Sequence, residues 1–376
     1  MKFQLRAAKA IIGRDVIDLL GGEVKRFGKR VLVVTGKNVS KTEFFKRALE
    51  GLSDIDYEVW RGVKPEPDVN VIEEGVEFAK NFNPDVFAAV GGGSVIDAAK
   101  LINLCLNGGE LFDYVPPPIG KGIVAQELKP LVAVPTTFGT GSETTCAAVV
   151  KIPELGIKAG IVQECLLPKL AIVDGGIELP KHIAASAGMD ALMHAIEAYT
   201  CKSFDEVETY FYSGSNPISD ALAEKAIELI VKNFVPSING DDNARMNMAI
   251  ASHIAGIAFG NAGVHIPHAA SHAIGGLSNA PHGVCVASVA PAVLEFISDC
   301  PKVKRISEIF GCKASEGVLR IMHEVGIPTL SKLGIGRDDI GTLVENTKKL
   351  KRLLVLSPKP VGDEELRLIF EKSLSY

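Results

Sequence analysis

Short runs of β-branched and aliphatic residues alternate with amphipathic stretches through the first half of this chain, and after position 180 the runs stop. Val31-Leu-Val-Val-Thr35, Tyr57-Glu-Val-Trp60 and Val86-Phe-Ala-Ala-Val90 read as strands. Helical patterning between them predicts helices near 40–51 and 70–81. Such alternation predicts βαβ units and a mostly parallel sheet, whose ligands bind at the carboxyl ends of the strands. A further strand is expected at Leu131-Val-Ala-Val-Pro135, then a hairpin turning through Pro153-Glu-Leu-Gly156 and a last strand at Leu170-Ala-Ile-Val-Asp174. Beyond Leu179-Pro180 the pattern predicts helices over 182–201, 217–234, 243–260, 265–276, 284–298, 302–311 and 315–325, with several short ones to the end. The shift near Pro180 divides the chain into an α/β domain, 1–180, and an all-helical domain, 181–376. Polar Ser203 to Asn216 reads as an exposed loop and Val115-Pro-Pro-Pro-Ile119 as a rigid connector.

The chemistry is concentrated in the helical half. Gly188-Met-Asp190-Ala-Leu-Met-His194-Ala-Ile-Glu197 has helical composition, so Asp190 and His194, four apart, lie on one face and can grip one ion. Four of the eight His follow between 265 and 282: His265, His268, His272 and His282. Any one of them alone reads as a hydrogen-bonded core or surface His; their clustering favours a metal site. His268 and His272 are again four apart, and His282 stands between Pro281 and Gly283, where the backbone is stiff and can approach closely. One carboxylate and three imidazoles suit Fe(II), Zn(II), Co(II) or Ni(II) and suit Ca or Mg poorly. Spacing alone leaves the choice among His265, His268 and His272 open.

Composition narrows the partner. The chain has 376 residues, 40 basic against 45 acidic, without long like-charge runs, which points to a small ligand and away from nucleic acid or an anionic membrane. Seven Cys without a C-x-x-C pair argue for a reducing compartment, and the expected location is the cytoplasm. The amino-terminal residues show no apolar signal core.

Two loops at strand ends offer anion and nucleotide contacts. Gly91-Gly-Gly-Ser94 precedes the helical Val95-Ile-Asp97-Ala-Ala-Lys100, a strand, glycine turn and helix start that fit a dinucleotide pyrophosphate, although a glycine run can also be a plain tight turn. Thr136-Thr137-Phe-Gly-Thr140-Gly-Ser142-Glu143 follows the next strand with hydroxyls that can donate to a nucleotide. Candidate cofactor contacts are therefore Gly91, Gly92, Gly93, Ser94, Asp97, Thr136, Thr137, Thr140 and Ser142.

In order along the chain, Gly-Gly-Gly-Ser-Val-Ile-Asp-Ala-Ala-Lys100, Pro-Thr-Thr-Phe-Gly-Thr-Gly-Ser-Glu143, Gly-Met-Asp-Ala-Leu-Met-His-Ala-Ile-Glu-Ala-Tyr199, Asn-Pro-Ile-Ser-Asp220 and Ala-Pro-His-Gly283 resemble the iron-containing (group III) alcohol dehydrogenase family over nearly the whole length. The resemblance implies a dinucleotide-binding α/β half and an all-helical metal-binding half with the active site in the cleft between them, and a homodimer. It maps the metal ligands to Asp190, His194, His268 and His282, settling the open choice for His268. His272, one turn from a ligand, is then expected to act as general acid or base, with a packing role as the plain alternative; His265 is left as structural. The implied chemistry is hydride transfer between a nicotinamide and an alcohol, aldehyde or ketone on Fe(II), with Zn(II) as the other metal. At the end of the first strand, family members with Asp resemble NAD users; here Gly36 leaves room and Lys37 adds positive charge, so NADP(H) is expected over NAD(H). Phe138, Gly175-Gly176, the long loop before Asn216 and His-Ile-Pro-His-Ala-Ala-Ser-His272 depart from the family pattern, the last resembling in part the hydroxyacid-oxoacid transhydrogenase branch. Glycerol dehydrogenase-like and transhydrogenase-like oxidoreductases are the alternatives. A dehydroquinate synthase-like lyase is disfavoured by the few Lys and Arg around the metal motifs.

Overall fold

The computed structural model of the protein describes residues 3–207 and 211–376. The chain packs as two compact units: Ala7–Thr137 with Gly141–Glu178, and Leu179–Tyr376 with Phe138–Thr140 and the residues up to Arg6. The short segments 138–140 and up to Arg6, which the sequence reading placed in the α/β half, pack with the helices.

The α/β unit contains strands β1 (Lys9–Gly13), β2 (Arg30–Gly36), β3 (Asp56–Val63), β4 (Val86–Gly91), β5 (Leu131–Pro135), β6 (Ala147–Ile152), β7 (Ile157–Val162) and β8 (Leu170–Asp174). Its helices are α1 (Leu20–Val24), α2 (Glu43–Glu50), α3 (Val69–Phe82), α4 (Gly93–Leu106) and α5 (Leu111–Tyr114). Six strands form one parallel sheet in the order β1-β8-β5-β4-β2-β3, while β6 and β7 pair antiparallel as the expected hairpin. Val31 to Val34, Val86 to Val90 and Val132 to Val134 are fully buried because apolar clusters cover both faces. That is why these strands read as unbroken apolar runs. β1 was not anticipated: Lys-Ala-Ile-Ile-Gly lies half-exposed at the sheet edge, in register Lys9↔Leu170, and its short sequence carries little pattern.

From β2 the chain runs outward to β3, crosses back to β4 and continues through β5 to β8. The direction reverses between β2 and β4, the topological switch point of such a sheet. Thr35 ties the two strand ends together by donating to the Val90 carbonyl at 2.8 Å. Gly36 and the Gly91–Gly93 turn therefore lie side by side where a ligand of this fold binds.

The loop after β5 is held from below. Lys100 on α4, 1% exposed, donates to the carbonyl oxygens of Ser142, Thr145 and Ala147 at 2.7, 2.8 and 2.8 Å. Burial pushes its ammonium down to about 8, against the pull of Asp97. Three carbonyls left without this donor would cost on the order of 1–3 kcal/mol each, so the ammonium fixes the loop's path.

The helical unit comprises α6 (Lys181–Thr200), α7 (Pro217–Ile238), α8 (Asp242–Ala262), α9 (Ile266–Ser278), α10 (His282–Phe296), α11 (Pro301–Phe310), α12 (Ala314–Val325), α13 (Ile340–Lys348), α14 (Lys351–Leu354) and α15 (Asp363–Ser373). From Gly188 to Thr200, α6 is buried on every side, surrounded by α7, α8 and α10. α7 starts where the Asn-Pro-Ile-Ser motif dictates: the Asn216 side chain accepts from the amides of Ile218 and Ser219, and Pro217 opens the first turn. The stretch Ser203 to Asn216 is only partly the exposed loop expected: Asp205 and Glu206 are exposed, residues 208–210 lie outside the described residues, and Gly214, Ser215 and Asn216 are buried. Ser213 donates from its amide to the Asn261 carbonyl at 2.9 Å, and Arg6 lies over the Phe211 ring at 4.5 Å.

Candidate metal centre and cofactor loops

α6 carries Asp190, His194 and Glu197 at spacings of four and seven, one face of a helix. α8 and α9 bend by 101° at the break between them. Pro267 occupies the first turn of α9, and His268 follows it. His282 is the first residue of α10. Its approach to α6 depends on Gly283, where an added Cβ would lie 2.0 Å from the Ser186 carbonyl oxygen. The Pro-His-Gly reading of a close approach is met here by the backbone of α6.

These elements bring the four expected ligands together. His268 Nε2 lies 3.5 Å and His282 Nε2 3.7 Å from Asp190 Oδ1. One ligand atom each from Asp190, His194 and His268 fits within 4.8 Å. Such separations are too long for good hydrogen bonds. They resemble the roughly 3.4 Å between two ligands that sit about 2.1 Å from one tetrahedral ion. Asp190 Oδ1 and His268 Nε2 are both buried without a hydrogen-bond partner. Two orphaned polar atoms facing each other cost stability unless a cation takes both.

The far ring nitrogen explains why Nε2 is the unpartnered atom of His268. His194 Nδ1 lies 3.2 Å from the Gly139 carbonyl, and His268 Nδ1 2.5 Å from Glu197 Oε1; each oxygen can only accept, so each Nδ1 carries the proton. His282 Nδ1 is 3.5 Å from Ser271 Oγ. Phe259 stacks on His194 at 3.9 Å between ring centroids. Burial opposes charge on Asp190, yet the imidazoles of His194, His282 and His268 hold it below the usual carboxylate range. Burial pushes His194 down to about 4; it opposes charge on His268 too, but the Glu197 and Asp190 carboxylates raise that ring to about 10. The pocket is thus electronegative and made for positive charge. The donor set and the orphaned atoms fit a divalent Fe or Zn ion.

His272 is half-buried, its ring 6.2 Å from that of His282 between centroids. His282, with 39% of its side chain exposed, is the least buried of the four candidate ligands. His265 faces elsewhere: its Nε2 is 2.9 Å from Thr200 Oγ1, which itself donates to the Ile196 carbonyl. Glu197, Gly139 and Phe259 were not singled out from the sequence. Glu197 could have been, since it lies on the ligand face of α6.

In the α/β unit, Gly92 caps α4 with no side chain doing so, and Gly91 and Gly93 flank it. A Cβ on Gly91 would meet the Val95 side chain at 2.4 Å, and one on Gly92 the Thr137 hydroxyl at 3.0 Å. An open helix start in a cradle without side chains fits a pyrophosphate. Thr136 is buried, while Thr137 and Thr140 are half-buried, Thr140 in the segment that packs with the helices. Ser94 Oγ accepts from the Glu66 amide at 3.3 Å. Asp97 and Ser142 have internal work: Ser142 donates to Asp97 Oδ1 at 2.5 Å and the Val149 amide donates to Oδ2 at 3.0 Å. Lys37 is exposed beyond Gly36. Gly36 has less room than the sequence reading supposed, because a Cβ there would lie 3.1 Å from the Val63 carbonyl.

Comparison with known proteins matches residues 7–175 to iron-containing alcohol dehydrogenase and residues 184–374 to the C-terminal part of the Fe-containing alcohol dehydrogenase family. Among curated relatives, the mitochondrial hydroxyacid-oxoacid transhydrogenase of Caenorhabditis elegans is 36% identical over 99% of this chain and 90% of its own length. The Homo sapiens protein of the same name is 34% identical over the same shares. Among solved structures, a 1,3-propanediol oxidoreductase is 30% identical with a TM-score of 0.91, covering 99% of this chain and 100% of that one. An iron-containing alcohol dehydrogenase from Thermococcus thioreducens is 29% identical with a TM-score of 0.89, covering both chains fully. The cytoplasmic location expected from the cysteines is overturned by the mitochondrial names of these curated relatives. Free thiols report a reducing environment, and one reducing compartment is not told from another by them.

Proposed function

Because the chain belongs to the iron-containing alcohol dehydrogenase family, an oxidoreductase family acting on CH–OH groups, we propose that it transfers hydride between a hydroxyacid and an oxoacid through a nicotinamide dinucleotide, with Fe(II) as the metal. The observation that carries the metal reading is the pair of buried, unpartnered ligand atoms, Asp190 Oδ1 and His268 Nε2, 3.5 Å apart. The hydroxyacid-oxoacid choice is supported by relatives so named at 33–36% identity over 99% of this chain. The second reading, a simple aldehyde or ketone reductase, is supported by the solved 1,3-propanediol oxidoreductase and iron-containing alcohol dehydrogenase, at 30% and 29% identity.

Asp190, His194, His268 and His282 would hold the metal. Its positive charge would polarise the substrate's carbonyl or hydroxyl oxygen, as the nicotinamide would supply or accept the hydride. The protein's own part is positional. Gly139, Glu197 and Ser271 orient the imidazoles, and Phe259 covers His194 on one ring face. The Gly91–Gly93 turn would seat the pyrophosphate. His272, beside the most exposed ligand, is the group assigned to give or take the substrate hydroxyl proton. His272→Gln is expected to lower kcat by roughly 100-fold with metal content unchanged; an unchanged kcat removes His272 from the proton path.

NADP(H) is the dinucleotide assigned, on Gly36 and Lys37 at the switch point. Gly36→Asp is expected to lower the ratio of the association constants for NADPH over NADH at least about tenfold, by adding a charge that repels a 2′-phosphate. Gly36→Ala is the control for the close Val63 carbonyl: it alone should leave the ratio unchanged, and a ratio unmoved by the Asp substitution sinks the assignment.

Substrate class is tested by incubating metal-loaded protein with a panel of hydroxy acids and oxo acids, with and without added dinucleotide, and following the products by NMR. Exchange that proceeds without repeated consumption of free dinucleotide supports the transhydrogenase reading. Turnover only of simple aldehydes or ketones with free NADPH moves the assignment to the reductase.

A further inference from the structure

We propose that Glu197 is a positioning residue of the metal centre, which sets the tautomer and direction of the His268 ring and pins the start of α9 to α6. The proposal rests on the metal reading above. Glu197 is completely buried, and its two oxygens are used by two different groups. Oε1 accepts from His268 Nδ1 at 2.5 Å, and Oε2 accepts from the backbone amide of His265 at 2.6 Å. The first contact keeps the proton on Nδ1 and turns the unpartnered Nε2 toward Asp190. The second fixes the residue that precedes α9, a helix start where an acidic group is favoured by the helix dipole. One side chain on the ligand helix thus sets both where the second ligand helix begins and how its His268 ring is turned.

Charge points the same way. With a metal bound, its three ligating imidazoles would be neutral, and the carboxylates of Asp190 and Glu197 would carry two negative charges between them, which match a divalent cation in a buried site. A glutamine would not do the same work. Its amide offers one acceptor oxygen, while its NH2 would face a donor, either His268 Nδ1–H or the His265 amide.

The test uses the full-length chain, freed of metal with a chelator and titrated with Co(II), whose visible d–d absorption reports ligand arrangement. Glu197→Gln is expected to fold, to raise the Co(II) Kd about 10- to 100-fold and to alter the d–d band, as outer partners of ligating His commonly do. Glu197→Asp keeps both acceptors on a shorter arm and should fall between wild type and Glu197→Gln. Glu197→Gln with the wild-type Kd and band, even at a lower melting temperature, overturns the proposal: the carboxylate would then only brace the two helices. Should Glu197→Gln not fold, Glu197→Asp carries the decision by the same two readouts, and wild-type values in it overturn the proposal. A wild-type chain that binds no Co(II) refutes the metal reading itself, an outcome distinct from metal binding that ignores Glu197.

Discussion

Replacing Asp190 by Asn is expected to abolish metal retention and bring activity to background while leaving the fold in place. Asn has the same shape, so α6 need not move. What it lacks is the negative charge that the three imidazoles surround, and its NH2 would present protons to nitrogen lone pairs. The affinity loss should exceed the roughly 10- to 100-fold typical of residues that merely support a ligand. Thermal melting gives an independent readout. A metal present at about 1,000 times its Kd stabilises by about 4 kcal/mol, so chelator should lower the melting temperature of the wild type and leave that of Asp190→Asn unmoved. A variant that keeps one equivalent of metal through gel filtration, and keeps its turnover, contradicts the ligand assignment.

The second large effect is expected at Gly283, a residue with no side chain to offer a metal. Its added Cβ would lie 2.0 Å from the Ser186 carbonyl oxygen, where ordinary contact begins near 3.4 Å, so α10 must withdraw from α6. Overpacking of this kind costs about 1–3 kcal/mol or more. His282 precedes Gly283 and would move with it, and metal sites tolerate ligand shifts of only about 0.2 Å. Gly283→Ala should therefore lose both stability and at least about tenfold in metal affinity. Gly276→Ala on α9 is the control: nothing lies within 4 Å of its added Cβ, and a Gly-to-Ala change inside a helix is worth about 0.5–1 kcal/mol of stability. Equal metal affinity in Gly283→Ala and wild type would show that the α6–α10 approach does not set the site.

Much of this site was legible because its logic is local. Asp190 and His194 share a helix face by simple spacing, and His282 announces its close approach through the flanking Pro and Gly. The parallel strands were legible because burial on both faces writes an unbroken apolar run. β1 escaped because an edge strand of five half-exposed residues leaves little pattern. Burial at the end of the stretch before Asn216 escaped the sequence because Ser213 and Asn216 satisfy one another and the Asn261 carbonyl instead of solvent. Which His joins Asp190 could not be read from spacing, since it depends on the turn between α8 and α9 and on Glu197, seven residues along α6. Room at Gly36 was overestimated for a similar reason: the Val63 carbonyl that crowds it comes from the neighbouring strand.

The central claim is that these four side chains hold the metal on which turnover depends. It is tested most directly by titrating chelator-treated chain with Fe(II) under anaerobic conditions, and in parallel with Zn(II), measuring bound metal and hydroxyacid-oxoacid exchange in the same samples. Activity should rise in proportion to bound metal and level off at one equivalent per chain. Full activity in chain shown to be free of metal would contradict it.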